Sequence, residues 1–123
     1  MLNKTIALTI LLVYIGFITF LSLVSIETKT KINVDYGDKI IHVMIHFINV
    51  ILLFIVFVKY KFVSPILLAI IVSIIYGIVI EVLQEQLTTK REFDVFDLYA
   101  NCLGTIVAAV FLKIKGKAIV KRI

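Results

Sequence analysis

Four uncharged apolar runs, Thr5–Ile26, Ile40–Val58, Phe62–Ile80 and Leu98–Leu112, leave this chain few ways to fold. Only short polar connections lie between them, so no stretch remains that could build a separate water-soluble core. The first three runs have the roughly 20 residues that cross about 30 Å of hydrocarbon as helix. The fourth has 15. It spans if the Asp94–Asp97 turn and Lys113 lie at headgroup level, with the lysine snorkelling. In lipid, backbone N–H and C=O groups must be satisfied within the element, so such runs are helices. The predicted fold is an all-α membrane protein: one domain over residues 1–123, with four transmembrane helices roughly at 5–26, 38–59, 63–86 and 95–114, in an antiparallel bundle. Composition agrees. The chain is 62% hydrophobic with a mean hydropathy of +1.13, well beyond the apolar share of soluble domains.

Two local alternatives are set aside. The first run follows a short basic start at Lys4 but is too long for a leader, and no small-residue cleavage pattern of the Ala-x-Ala kind follows it. It is read as a retained helix. Cys102 is the one cysteine, which excludes an internal disulfide. It is read as a small apolar packing residue.

Charge sets the expected orientation. With four spans, Lys4, Lys59, Lys61, Lys113, Lys115, Lys117, Lys121 and Arg122 share one side, and Lys29, Lys31, Lys39, Lys90 and Arg91 share the other. The excess of basic residues on the first side places both termini in the cytoplasm by the positive-inside rule. The net charge of +5 is thus a topology signal, not a nucleic-acid signal. The basic tail suits an anionic lipid surface, at about 1 kcal/mol per basic residue. All eight acids, Glu27, Asp35, Asp38, Glu81, Glu85, Glu92, Asp94 and Asp97, fall in or beside the first and third connections. Those connections share the extracytoplasmic side of a cell-membrane protein.

The connections carry helix signals. Asp38 is a candidate N-cap. Ser64-Pro65 starts the third helix, with serine as cap and proline at the first helical position. Asp94-x-x-Asp97 resembles a capping box. Small residues recur every fourth position, at Ala69, Ser73 and Gly77 in the third helix and at Ala100, Gly104 and Ala108 in the fourth. Such stripes let membrane helices approach closely. The expected pairing is the third helix on the fourth, with Glu81 roughly level with Asn101. The second stripe is equally suited to a homo-oligomer.

A polar constellation remains. Asp38, His42 and His46 are spaced i, i+4, i+8 on one helix face, and Asn49 continues it. Asp94, Asp97, Asn101 and Gly104 share a face of the fourth helix, and Glu81 and Gln84 lie one turn apart on the third. Lipid disfavours all three stripes, so they are expected to turn toward one another. Asp38, Asp94 and Asp97 also read as caps favoured by the helix dipole. His42 and His46 also read as satisfied hydrogen-bonding groups. Arg91 reads as an interfacial cation or as a clamp for a carboxylate or phosphate, and Tyr36 and Tyr99 as interfacial aromatics.

These residues resemble the VanZ-like family of small membrane proteins. The resemblance rests on Asp38-Lys39-x-x-His42, Glu81-x-x-Gln84, Arg91, and Asp94-x-x-Asp97-x-x-x-Asn101-x-x-Gly104, in that order over Asp38 to Leu112. His46 departs from the pattern, where an aromatic is expected. The family takes its name from a protein that lowers susceptibility to teicoplanin, a lipidated glycopeptide. The resemblance implies a cell-envelope role in antibiotic resistance and a multi-pass location, and leaves the mechanism, catalytic residues, metal and cofactor unknown.

Three roles fit a binding cluster of Asp38, Lys39, His42, Glu81, Gln84, Arg91, Asp94, Asp97 and Asn101. It could bind a lipid headgroup or cell-wall precursor, using the positive ends of two helices. It could be an enzyme using metal or carboxylate chemistry on a lipid-linked substrate, although no metal-specific spacing such as H-E-x-x-H is present. It could be structural, locking the bundle while the protein acts as an accessory to another envelope component. A small multidrug exporter is disfavoured, since that class depends on a carboxylate within the first helix and Thr5–Ile26 contains none.

Overall fold

The computed structural model describes residues 2–24, 36–87 and 95–123, and of Val24, Tyr36 and Asp38 the backbone alone. Among these residues it is all helix: α1 Lys4–Val24, α2 Tyr36–Lys59, α3 Pro65–Leu87 and α4 Val95–Arg122. All four are long and apolar enough to cross a membrane. Arg91 and Asp94 lie outside the described residues, as do Glu27, Asp35 and Glu92.

Local chemistry fixes the helix ends. Asn3 caps α1, its Oδ1 accepting the Thr5 N–H at 2.7 Å. Pro65 opens α3 as expected, and the Ser64 carbonyl accepts the first helical bond, from Leu68 at 3.0 Å. The α2–α3 connection is a Schellman turn. The Phe62 N–H reaches the Phe57 carbonyl at 2.9 Å and the Lys61 N–H reaches that of Val58 at 3.0 Å. Lys61 takes the left-handed conformation, with φ 63°. The Phe57 and Phe62 rings meet edge-on at 5.2 Å, the apolar clasp that accompanies this motif. The fourth helix continues past 114, where the sequence reading ended it, to Arg122. Lys113 marks a change in polarity, not a break in backbone hydrogen bonding, and Gly116 is buried, where an added Cβ would meet the Phe54 ring at 3.5 Å.

The most extensive contact is between α2 and α4. Glycine makes it possible. A Cβ on Gly104 would lie 3.0 Å from the Val43 carbonyl carbon and 3.1 Å from its Cα, and nearer still to its oxygen. The small-residue stripe of α4 thus packs at Gly104 against α2 backbone, where the sequence reading paired it with α3. The fourth helix also packs on α3, as expected: Gly77 faces the Asn101 side chain of α4 and the His46 ring of α2, and Ser73 meets Thr105. Ala100, Gly104 and Ala108 are all buried within the chain itself.

Below the polar end, Val50, Leu53, Phe54, Val56, Ala69, Ala108 and Leu112 form the apolar core, joined by Ala7 and Leu11 of α1. Isoleucine, leucine, valine and phenylalanine cover the outer surface of every helix. That inversion is expected where lipid, not water, is the solvent. Two tyrosine hydroxyls attach α1. Tyr14 donates to the Ile45 carbonyl at 2.7 Å, and Tyr76 pairs with Thr19 at 2.8 Å. Lys4 sits 5.4 Å from the centre of the Tyr60 ring, and Lys59 donates to the Ile123 carbonyl.

Candidate functional site

The polar stripes of α2, α3 and α4 do converge. Asp97, in the first turn of α4, is 0% exposed and Glu81, near the end of α3, is 1% exposed. The Lys39 ammonium donates to Asp97 Oδ1 at 2.5 Å. The lysine is 20% exposed on its side chain, so it closes the outer edge of the cluster while the carboxylate lies wholly inside. A charge-assisted bond of this kind is about twice as strong as a neutral one.

His42 lies between the carboxylates and the interior. Its Nδ1 is 3.1 Å from Asn101 Oδ1. An amide oxygen only accepts, so Nδ1 carries a proton. Its Nε2 then faces Asp97 Oδ1 at 3.6 Å. One donor atom each from His42, Glu81 and Asp97 falls within 4.8 Å of the others. Glu81 is therefore grouped with Asp97, one turn outward of the Asn101 level that the sequence reading gave it.

Asn101 links this cluster to a second, deeper network. Its carbonyl accepts from Thr105 Oγ1 at 3.0 Å. Thr105 Oγ1 also meets Ser73 Oγ at 3.2 Å. Ser73 Oγ in turn meets His46 Nδ1 at 3.1 Å and Asn49 Nδ2 at 3.4 Å. Proton counting orders this hub. Thr105 has one hydrogen and spends it on the Asn101 carbonyl, so Ser73 donates to Thr105 and accepts from Asn49 and His46. His46 is thus held with its proton on Nδ1, through a bond to a neighbouring helix. Asn49 Oδ1 ends the network, buried and without a hydrogen-bond partner among the described residues. Beyond it lies the apolar core.

The expected site residues divide accordingly. Lys39, His42, Glu81, Asp97 and Asn101 come together. Gln84 is buried but donates from Nε2 to the Ser22 carbonyl of α1 at 2.9 Å, so it fastens α1 to α3. Asp38 lies in the first turns of α2, and its side chain is outside the described residues with Arg91 and Asp94. Tyr99 is exposed and stacks edge-on with Phe96 at 6.2 Å, as an interfacial aromatic would. Cys102 is a free thiol of intermediate exposure. The Ser73 hub was not foreseen, because serine in a small-residue stripe reads as packing. The available signal was Thr105, four residues after Asn101 on the same face.

Chemically, the cluster offers two buried carboxylates, an imidazole whose Nδ1–H is held by Asn101 and an ammonium at its edge. Such a set can hold a cation, bind an anion through Lys39, or move a proton. A family model described as VanZ/LLP1 matches residues 3–116, nearly the whole chain, and the chain belongs to that family of small membrane proteins. No curated protein and no solved structure matches it.

Proposed function

We propose that this member of the VanZ/LLP1 family lowers susceptibility to teicoplanin-type glycopeptides, through an outward-facing polar site that binds a lipid headgroup or envelope precursor. The bundle is antiparallel with both termini in the cytoplasm of a cell-membrane protein. Contacts support that order: Lys39 meets Asp97 at the starts of α2 and α4, and Lys59 meets Ile123 at their ends. The eight basic residues that share a side with the termini support the orientation.

One observation carries the functional reading. Asp97 and Glu81 are completely buried in helices of membrane-spanning length, beside Lys39 and His42 contributed by a third helix. Ionisable groups at such positions are expensive and are kept where they serve a purpose. Lys39, with the positive ends of α2 and α4 beside it, suits a phosphate or carboxylate headgroup.

The test is teicoplanin and vancomycin susceptibility of a sensitive host carrying wild type, Glu81→Gln or Asp97→Asn, at matched membrane levels. Protection by wild type that either variant loses supports a functional site. Equal protection by all three makes the cluster a scaffold and moves the partner surface elsewhere. Absence of protection by wild type refutes the glycopeptide role.

A further inference from the structure

We infer that His42, Glu81 and Asp97 form a binding site for a divalent transition-metal ion of the Zn2+ class. The inference rests on the reading of this cluster as functional, and is independent of the glycopeptide phenotype.

The geometry argues for it at three levels. The donors come from α2, α3 and α4, and their ligand atoms lie within 4.8 Å of one another. Ligands about 2.0–2.2 Å from one ion sit roughly 3.3–3.6 Å apart at tetrahedral angles. The Nε2 to Oδ1 separation of 3.6 Å between His42 and Asp97 matches that spacing and is too long for a hydrogen bond. Next, the imidazole is oriented as a ligand. Asn101 Oδ1 accepts from Nδ1–H, which leaves Nε2 as the ring nitrogen that faces Asp97 and that a metal ion would take. Metal-binding histidines characteristically give their other N–H to such a partner. Finally, two of the three ligands are wholly buried, and the site is open at the edge where His42 and Lys39 are partly exposed.

The donor set narrows the ion. One imidazole and two carboxylates suit Zn2+, Mn2+ or Fe2+ better than Mg2+, which prefers oxygen ligands and retains its waters. Three protein ligands leave a coordination position for an oxyanion, in the manner of open zinc sites. A phosphate or carboxylate headgroup is the class of ligand that would fill it.

Lys39 makes the inference unusually testable. Its ammonium already bonds Asp97 Oδ1, so it competes with an incoming cation for the same carboxylate and repels it. Removing that charge should therefore tighten ion binding, by about tenfold. A gain of this sign cannot arise from misfolding.

The experiment uses the full chain in lipid nanodiscs, stripped with chelator and titrated with Zn2+ by calorimetry. Co2+ serves as a second probe, because its visible absorption reports the ligand set. Wild type should take up one equivalent and Lys39→Gln should bind more tightly. Asn101→Ala should lose about 10–100-fold in affinity, and His42→Ala and Asp97→Asn more. Glu85→Gln, an exposed acid one turn from Glu81, should match wild type. No stoichiometric ion in wild type overturns the inference, as does unchanged or weaker binding in Lys39→Gln, or a loss in Glu85→Gln equal to that in Asp97→Asn. Ion binding without teicoplanin protection would leave the metal site standing and remove the proposed role. Protection without ion binding would do the reverse.

Discussion

Replacing Gly104 with alanine puts the packing of α2 on α4 to a quantitative test. The added methyl would sit 3.0 Å from the Val43 carbonyl carbon and 3.1 Å from its Cα, and closer again to the oxygen. Carbon atoms in contact prefer about 3.5–4.0 Å, so α4 must draw back by roughly 1 Å at this level. The obstacle is backbone on both sides, and no side chain can rotate to absorb the strain. One turn outward, His42 Nδ1 and Asn101 Oδ1 are 3.1 Å apart. An opening of roughly 1 Å takes them to about 4 Å, beyond hydrogen-bond range. Overpacking costs typically about 1–3 kcal/mol, and a hydrogen bond between membrane helices is worth about 0.6–1.7 kcal/mol. The expected loss is therefore about 2–5 kcal/mol. Unfolding midpoints in mixed detergent micelles titrated with SDS measure it, with Gly16→Ala as the reference. Among the described residues nothing lies within 4 Å of a Cβ at Gly16, so that change should cost nothing and gain up to about 1 kcal/mol of helix propensity. Gly77→Ala should fall between them, because its neighbours at 3.1 Å are side chains of Asn101 and His46 that can give. The reasoning is refuted if Gly104→Ala unfolds at the wild-type midpoint or later.

The same titration tests two other readings. Ser73→Ala removes the hub that serves His46, Asn49 and Thr105 and should cost about 1–3 kcal/mol, whereas Asn49→Leu should be close to neutral. The Asn49 amide gives only one long bond, at 3.4 Å, and its buried oxygen has no partner among the described residues. A costly Asn49→Leu with a harmless Ser73→Ala would invert the proposed hub. Lys61→Gly should stabilise by about 1 kcal/mol, since a residue other than glycine held at φ 63° carries a penalty of about 1–2 kcal/mol. A lower midpoint for Lys61→Gly would show that its side chain contributes more than the backbone strain costs.

The four spans were legible because uninterrupted apolar length is itself a physical requirement of the bilayer. The convergence of His42, Glu81 and Asp97 was legible for a related reason: helical spacing placed each on a stripe that lipid rejects. What sequence could not supply was the rotation of each helix. Gln84 lies three residues from Glu81 yet bonds α1, because three residues turn a side chain of the same length by about 60° around the helix. Gly104 approaches the backbone of α2 most closely, at Val43, because a small residue permits close approach without specifying from which side. The α4 helix runs on to Arg122 because Lys113 records only where polarity changes, and a helix continues past that point when no residue breaks it.

The Ser73 network has a consequence for how the chain is made. Its members are distributed over three spans, and synthesis delivers those spans one after another. His42, His46 and Asn49 enter the bilayer on α2 before Ser73 arrives on α3, and before Asn101 and Thr105 arrive on α4. Until the last helix is in place, the earlier ones present polar groups to hydrocarbon or must be shielded by the insertion machinery. Completion of the network therefore reports the docking of α4 on α2 and α3. A chain stalled before α4 would display unshielded histidine and carboxylate groups within the bilayer, the kind of surface by which membrane proteases and chaperones tell an unfinished protein from a finished one.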